Sequence, residues 1–302
     1  MAISRAQLAK ELEPGLNALF GLEYKQYENQ HTAIFDTENS DRAFEEEVML
    51  SGFGTAAVKQ EGSAVGYDDA QESFTARYTH ETIALAFSIT EEAVEDNLYD
   101  SIAKRYTKAL ARSMANTKQI KAANVLNNGF SSSYKGGDAV ELFSSAHVST
   151  SSSSGRNELS TASDLSETSL EQALIDIAAV KDERGLKIAA RGVKMIIPSA
   201  LQFTAERIMK SAQRVGTADN DINAVKSMGM VPQGYAVNNF LTDTDAWFIK
   251  TDVPNGLKHM VRSAIKTAME GDFDTGNMRY KARERYSCGW SDWRGIFGSE
   301  GA

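Results

Sequence analysis

Apolar positions change their period near residue 90. Before it, Ile83, Leu85, Phe87 and Ile89 alternate with Ala84, Ala86 and Ser88, the two-residue repeat of a β-strand. After it, Val94, Leu98, Ile102, Tyr106, Leu110 and Met114 recur every fourth residue, with Ala103, Ala109 and Ala123 beside them. That spacing predicts one long amphipathic helix over 91–127. Thr90 is placed to cap it, Glu91 and Glu92 face the positive end of its dipole, and Asn127, Asn128 and Gly129 can close it. At about 1.5 Å per residue the helix would span roughly 55 Å, long enough to act as a spine.

Alternation returns at the C-terminus. Met278, Tyr280, Ala282, Tyr286, Cys288 and Trp290 fall on one side of a predicted strand, and Arg279, Lys281, Arg283 and Arg285 on the other. A preceding strand over LKHMVRSAIKTAM makes an antiparallel pair whose apolar side suits the spine helix. Strand and helix near residue 90 therefore belong with residues near 280, and the first module is discontinuous.

At the N-terminus, Ser4 and Gln7 form a capping-box pattern, and Pro14 is placed to start a second short helix bearing Phe20, Leu22 and Tyr24. This arm either docks on its own subunit or lies on a neighbour. Gly52, Gly54, Gly62 and Gly66 then mark loop chemistry from His31 to Asp69. The loop and the strand after it read as a long two-stranded excursion. An isolated hairpin is marginal in water, so a neighbouring subunit is its expected support.

After the spine, residues 130–169 are rich in Ser, Thr and Gly and read as a long, partly mobile connector. Asp164, Ser166 or Thr168 could cap a helix carrying Leu170, Leu174, Ile177 and Ala178 and stopping at Gly185. Strand 193–197 ends at Pro198, a helix follows over 201–216, and GYAVNNFL and AWFIKT supply further strands. Pro232 and Pro254 mark turns. These form a second α/β module inserted into the first.

Composition narrows the function. The chain has 302 residues, 42% of them hydrophobic, and a net charge of −9, enough for a substantial core but a poor overall balance for gripping nucleic acid. No run is long and apolar enough to span a membrane, and MAISRAQLAKELE lacks the layout of a secretory signal, so export is not expected. The single Cys288 excludes an intrachain disulfide. On the apolar side of a strand it reads as an inert thiol.

No phosphate-binding glycine loop, dinucleotide fingerprint or nucleophile elbow occurs. His31, His80, His147 and His259 are scattered without ligand spacing, and Asp68, Asp69, Asp272 and Asp274 sit in loop contexts. Catalytic, cofactor-binding and metal-binding residues are all expected to be absent. The row Arg279, Lys281, Arg283 and Arg285 is the one charge feature above background. It is an exposed strand face, a face pairing with acidic partner segments such as Glu45–Glu47, or a contact for packaged DNA.

Four stretches carry a family resemblance: YTHETIALAFSITEEAVEDNLYD (78–100), KQIKAANVLNNGF (118–130), GGDAVELFSSAH (136–147) and VKMIIPSALQFTAERIMKS (193–211). With the order of parts they resemble the tailed-phage major capsid proteins of the Hong Kong 97 type over roughly residues 60–300, nearest to Mu-like major head subunits. The sequence departs where family members often have Asp-Gly before Leu-Phe-Ser. The resemblance implies an α+β capsid fold with an N-terminal arm (1–45) and an extended loop (46–82). It further implies a peripheral domain (83–160 and 257–297) and an axial domain (161–256 and 298–302). The implied role is a structural subunit without enzymatic activity, forming hexamers and pentamers of an icosahedral shell around double-stranded DNA. Implied partners are further copies of the chain, scaffold, portal and decoration proteins, and DNA without sequence specificity; no membrane or cofactor is implied. The protein would assemble in the host cytoplasm and reside in the virion. An encapsulin-like bacterial compartment shell is the alternative with the same fold.

Overall fold

Strand β4 (Glu81–Ile89) pairs antiparallel with β9 (Met278–Trp290), placing Phe87 opposite Tyr280 and Leu85 opposite Ala282. In this computed structural model residues 5–90, 92, 99–149, 155–214, 221–272 and 275–302 are described. On the other edge of β9 runs β8 (Leu257–Gly271), and β1 (Asp36–Asn39) runs parallel to β8, giving the order β1-β8-β9-β4. The spine, α2 (Tyr99–Asn127), buries Ala103, Leu110, Ala111 and Met114 against Tyr280, Ala282 and Ile89 of this sheet.

The buried stripe of α2 steps by three and four, through Ala111, Ala115, Gln119, Ala122 and Leu126, with Met114 and Ala123 beside it. Tyr106 is 52% exposed and Ala109 is exposed, contrary to the expected four-residue stripe. Each step of four overshoots a full turn by about 40°, so a strict fourfold repeat walks off the packed face. Glu91, Val94, Leu98 and the side chain of Ile102 lie outside the described residues, as does Ser4 of the expected capping box.

Where two N-terminal helices were expected, one continuous α1 (Arg5–Gln26) runs through Pro14. Leu16 and Phe20 are buried in the spine cluster, and this packing offsets the backbone bond that proline cannot donate. Residues 36–51 also depart from the expected loop. They include β1 and β2 (Phe44–Ser51), the latter paired antiparallel with β3 (Gln71–Thr79).

A second sheet has the order β10-β7-β5-β6, from β5 (Gly192–Ile197), β6 (Tyr235–Val237), β7 (Trp247–Thr251) and β10 (Ile296–Ser299). Against it pack α3 (Glu167–Ala179), α4 (Gln202–Lys210) and α5 (Ala224–Met228), burying Leu170, Leu174, Ile177, Ile208 and Val225 with Met195, Ile197 and Trp247. Ser166 is the cap of α3, in a reciprocal pair with Ser169. Gly185 does not stop that helix. It occupies a positive φ of 85° in the turn bridged by Lys181 and Lys187, six residues beyond Ala179.

The connector after the spine is not bare of core. Leu142 and Phe143 are fully buried, and Phe143 stacks between Phe130 (4.6 Å) and Phe248 (5.1 Å). Ile34, Leu126, Phe143, Ile196, Phe248, Leu257 and Ile296 form one cluster that joins the spine's C-terminal end to both sheets.

Candidate assembly interface

The ribbon β2–β3 ends where the Ser51 hydroxyl donates to Gln71 O (2.9 Å) and accepts from Gln71 N–H (3.0 Å). Residues 52–70 then form neither helix nor strand, and all except Gly54 are exposed. Among them Phe53 is 61% exposed, Val58 95%, Val65 63% and Tyr67 98%. A connection of this length is uncommon inside a compact domain. Burying those four side chains is worth on the order of 6–12 kcal/mol that the isolated chain forgoes.

One clasp orders the loop. The Gly54 amide donates to Asp68 Oδ2 (2.7 Å), and the Arg184 guanidinium donates to Asp68 Oδ1 (2.6 Å). The amide contact first, and then Arg184, hold the Asp68 carboxyl below the usual carboxylate range.

The root of the ribbon is fastened more tightly. Tyr78 Oη lies 2.5 Å from Ser291 Oγ, Ser291 donates to Glu47, and the Lys258 ammonium bridges Glu47 and Glu38 (3.0 Å). Burial raises the Tyr78 hydroxyl's pKa, and although burial opposes the Lys258 charge, Glu47 and Glu38 keep its pKa above the ordinary value. Ala76, Tyr78 and Met260 pack together beneath. The excursion is thus rigid at its base and unpartnered at its apolar end.

The N-terminal helix takes the first of its two expected positions, docked on its own subunit. Leu16 and Phe20 face α2, while Leu22 is 65% exposed.

All four histidines are buried. His31 accepts from Gln119 Nε2 through Nδ1 (3.0 Å), His80 sits between Ser40 (2.9 Å) and Ser287 (3.0 Å), and His147 pairs with Asp138 (2.6 Å) while stacking on Trp293. His31 and His259 meet edge to face at 5.0 Å, a pairing that sequence spacing could not reveal. Among the described residues no group of three His, Cys, Asp or Glu side chains could hold a metal ion. A cleft of about 680 Å³ lies between β3, α2, β9 and the 134–137 turn, with the Lys121–Glu81 ion pair and Cys288 in its lining. Burial pushes the Cys288 thiol up to about 12.

The basic row behaves as an exposed strand face: Arg279, Lys281 and Arg283 are exposed and Arg285 is half-buried. Within the chain it does not meet the acidic run of β2. Glu45 accepts from Ser40, Glu46 faces Arg77 at 3.8 Å, and Glu47 serves Lys258 and Ser291.

The family model described as "Phage capsid protein" matches residues 72–298. The chain belongs to the phage capsid protein family. Its matched part takes in nearly all of the hairpin's return strand, the spine, and every strand of both sheets except β1, with β10 lacking only its last residue. No curated protein matches this capsid chain. Among solved structures it is similar to the "virus-like particle from Pyrococcus furiosus", at 12% identity and TM-score 0.55, covering 95% of this chain and 98% of that one. It is also similar to the "capsid of empty GTA particle", at 13% identity and TM-score 0.54, covering 91% of each chain. A third similarity is to the "procapsid of bacteriophage JBD30", at 13% identity and TM-score 0.52, covering 98% of this chain and 76% of that one. At these identities the likeness establishes the fold, the α+β Hong Kong 97-type capsid fold. The capsid protein's role is therefore structural.

Proposed function

We propose that this capsid protein is the major head subunit of a tailed phage. Copies join as hexamers and pentamers of an icosahedral shell that encloses double-stranded DNA without sequence specificity. Scaffold and portal proteins guide its assembly in the host cytoplasm, and decoration proteins can bind the finished shell. The ribbon and loop over 46–82 act as the extended loop. The spine with the first sheet forms the peripheral domain, and the second sheet with α3–α5 the axial domain. The protein carries no catalytic centre.

The observation that carries this reading is the exposed apolar loop on a fastened root, with Phe53, Val58, Val65 and Tyr67 in solvent. A patch of that kind on a lone molecule is an interaction surface. Head-to-tail contact between unlike patches closes into rings, and several such contacts per subunit give a shell its cohesion. Electron microscopy of the expressed full chain tests it. Closed particles are expected from the intact protein and none from a variant lacking residues 53–67, whose melting temperature stays near that of the parent. An intact chain that remains monomeric at high concentration overturns the reading.

A further inference from the structure

A second cavity, of about 330 Å³, opens where four parts of the chain converge. The end of β2 supplies Met49 and Leu50, and the turn after α3 supplies Asp182, Glu183 and Ile188. The β7–β8 connection adds Asp252, Val253 and Pro254, and the segment between β9 and β10 adds Asp292 and Arg294. Apolar side chains make most of the wall, and the polar ones are nearly all of one sign.

Four carboxylates line the cavity against a single cation, Arg294. That guanidinium is already engaged on every side. Its Nη1 bonds both oxygens of Asp292 (3.2 Å each), Nη2 bonds Glu183 Oε1, and Nε donates to Lys181 O (3.0 Å). Glu183, Arg294 and Asp292 are 2%, 5% and 6% exposed, so two enclosed carboxylates share one guanidinium. Glu183 Oε2 has no hydrogen-bond partner among the described residues. A buried carboxylate oxygen without a donor is costly, and a cation brought to it is favoured.

A further carboxylate stands at the mouth. Asp252 is exposed and gives one oxygen to the Arg191 N–H (2.8 Å). The cavity therefore leads from a buried anionic group, past Leu50, Ile188 and Val253, to an exposed one. An inorganic cation suits it poorly. Among the described residues no group of three His, Cys, Asp or Glu side chains could hold a metal ion, and apolar walls do not replace a lost hydration shell. A cation that carries its own apolar stem matches both the charge and the walls.

We propose that this cavity binds a linear aliphatic diamine, with one ammonium beside Glu183, the other beside Asp252, and the methylene stem along Leu50, Ile188 and Val253. The site lies within one chain, so it stands apart from the assembly reading. Bound there, the diamine would join the end of β2 to the second α/β module and steady the strand from which the loop projects. Anything that binds only the folded chain also stabilises it by mass action.

Titration of the full chain with 1,4-diaminobutane at about pH 8, where carboxylates are ionised and amines charged, is the test. Saturable binding is expected with a dissociation constant of about 1 mM or below. The uncharged 1,4-butanediol, of the same length, should not compete. Asp252→Asn, which keeps an acceptor for Arg191, is expected to weaken binding roughly threefold, and Glu183→Gln about tenfold. Melting temperatures without ligand check that each variant folds. Bound diamine should also slow amide exchange at residues 49–52 and 183–190 while leaving residues 224–228 unchanged. No saturable binding up to about 20 mM overturns the inference, as does equal binding of butanediol. Parental affinity in Asp252→Asn together with unchanged exchange at 49–52 overturns it too, even if Glu183→Gln does not fold. Displacement by equimolar magnesium would assign the cavity to an inorganic ion, and binding of N-acetyl-lysine amide as tight as that of the diamine would assign it to a lysine of a partner chain. Either result refutes the proposal.

Discussion

Lys118 Nζ lies 2.7 Å from Glu284 Oε2, joining the middle of the spine to the centre of β9. The same ammonium donates to the Tyr24 hydroxyl on α1 (2.6 Å), which in turn donates to Glu284 (3.2 Å). Burial disfavours the lysine charge, yet Glu284 and Tyr24 outweigh it and raise the Lys118 pKa. One buried ion pair therefore fastens α1, α2 and the first sheet.

Removing one partner of this pair should cost far more than removing both. Glu284 is 1% exposed, so Lys118→Met leaves a buried carboxylate without its cation, a loss of about 3–5 kcal/mol. Lys118→Met combined with Glu284→Leu is expected to lose less than Lys118→Met alone. Urea unfolding of the two variants measures the difference, and a double variant weaker than the single would refute the account.

The sequence made the sheet–spine pairing legible because β4, β8 and β9 each keep one apolar side, so period and partner agree. It also exposed the loop, through glycines and a lack of periodic apolar residues. It hid the root of the hairpin. In FEEEVMLS the charged residues mask a strand, and Glu47 finds its partners, Lys258 and Ser291, 211 and 244 residues away. The continuity of α1 was hidden for a like reason. Pro14 argues locally for a break, and only the burial of Leu16 and Phe20 against a distant helix overrules it.

Acid should loosen the seat of the N-terminal segment. His259 is 2% exposed and neither ring nitrogen has a hydrogen-bond partner among the described residues. Burial first, then His31 and Lys118, depress its pKa to about 3, and burial likewise lowers that of His31. Tyr286 packs on the His259 ring and Gln119 bonds to His31, and neither supplies negative charge. An unfolded imidazole protonates near pH 6.5, so this contribution is complete above that pH and is lost as pH falls towards the folded value. At about pH 4.5 the loss from His259 is on the order of 3 kcal/mol. His259→Phe should flatten the fall in unfolding free energy between about pH 7 and pH 4.5 by that amount, and an unchanged slope would exclude it.

Asn157 should be among the least replaceable residues of the connector. Its amide group donates to Leu142 O (2.7 Å), Trp293 O (3.1 Å) and Ile296 O (3.2 Å), and its carbonyl accepts from Ser144 N–H (3.0 Å). The side chain thereby ties residues 142–144 to the chain's C-terminal segment. Asn157→Ala strands several buried groups and should cost about 3 kcal/mol or more. Asn157→Asp, which sets a carboxylate against three carbonyl oxygens, should be worse. Thermal unfolding ranks the two, and an Asp variant more stable than the Ala variant contradicts the assignment.

Gly137 sets how closely the 134–137 turn approaches the hairpin. A Cβ there would stand 2.6 Å from Thr75 O and 2.8 Å from Thr75 C, backbone atoms that cannot rotate aside. Gly137→Ala must therefore push β3 away from the turn, at a cost of about 1–3 kcal/mol. Gly66→Ala in the loop is the control, because no atom lies within 4 Å of its Cβ and the change should stay within about 0.5 kcal/mol. Since β3 positions the projecting loop, the Gly137 variant should also lose more assembly than its stability deficit alone predicts. Amide hydrogen exchange at residues 74–78 reads the displacement directly. Faster exchange there in Gly137→Ala but not in Gly66→Ala is expected, and equal protection in both would show that the close approach does not hold the hairpin.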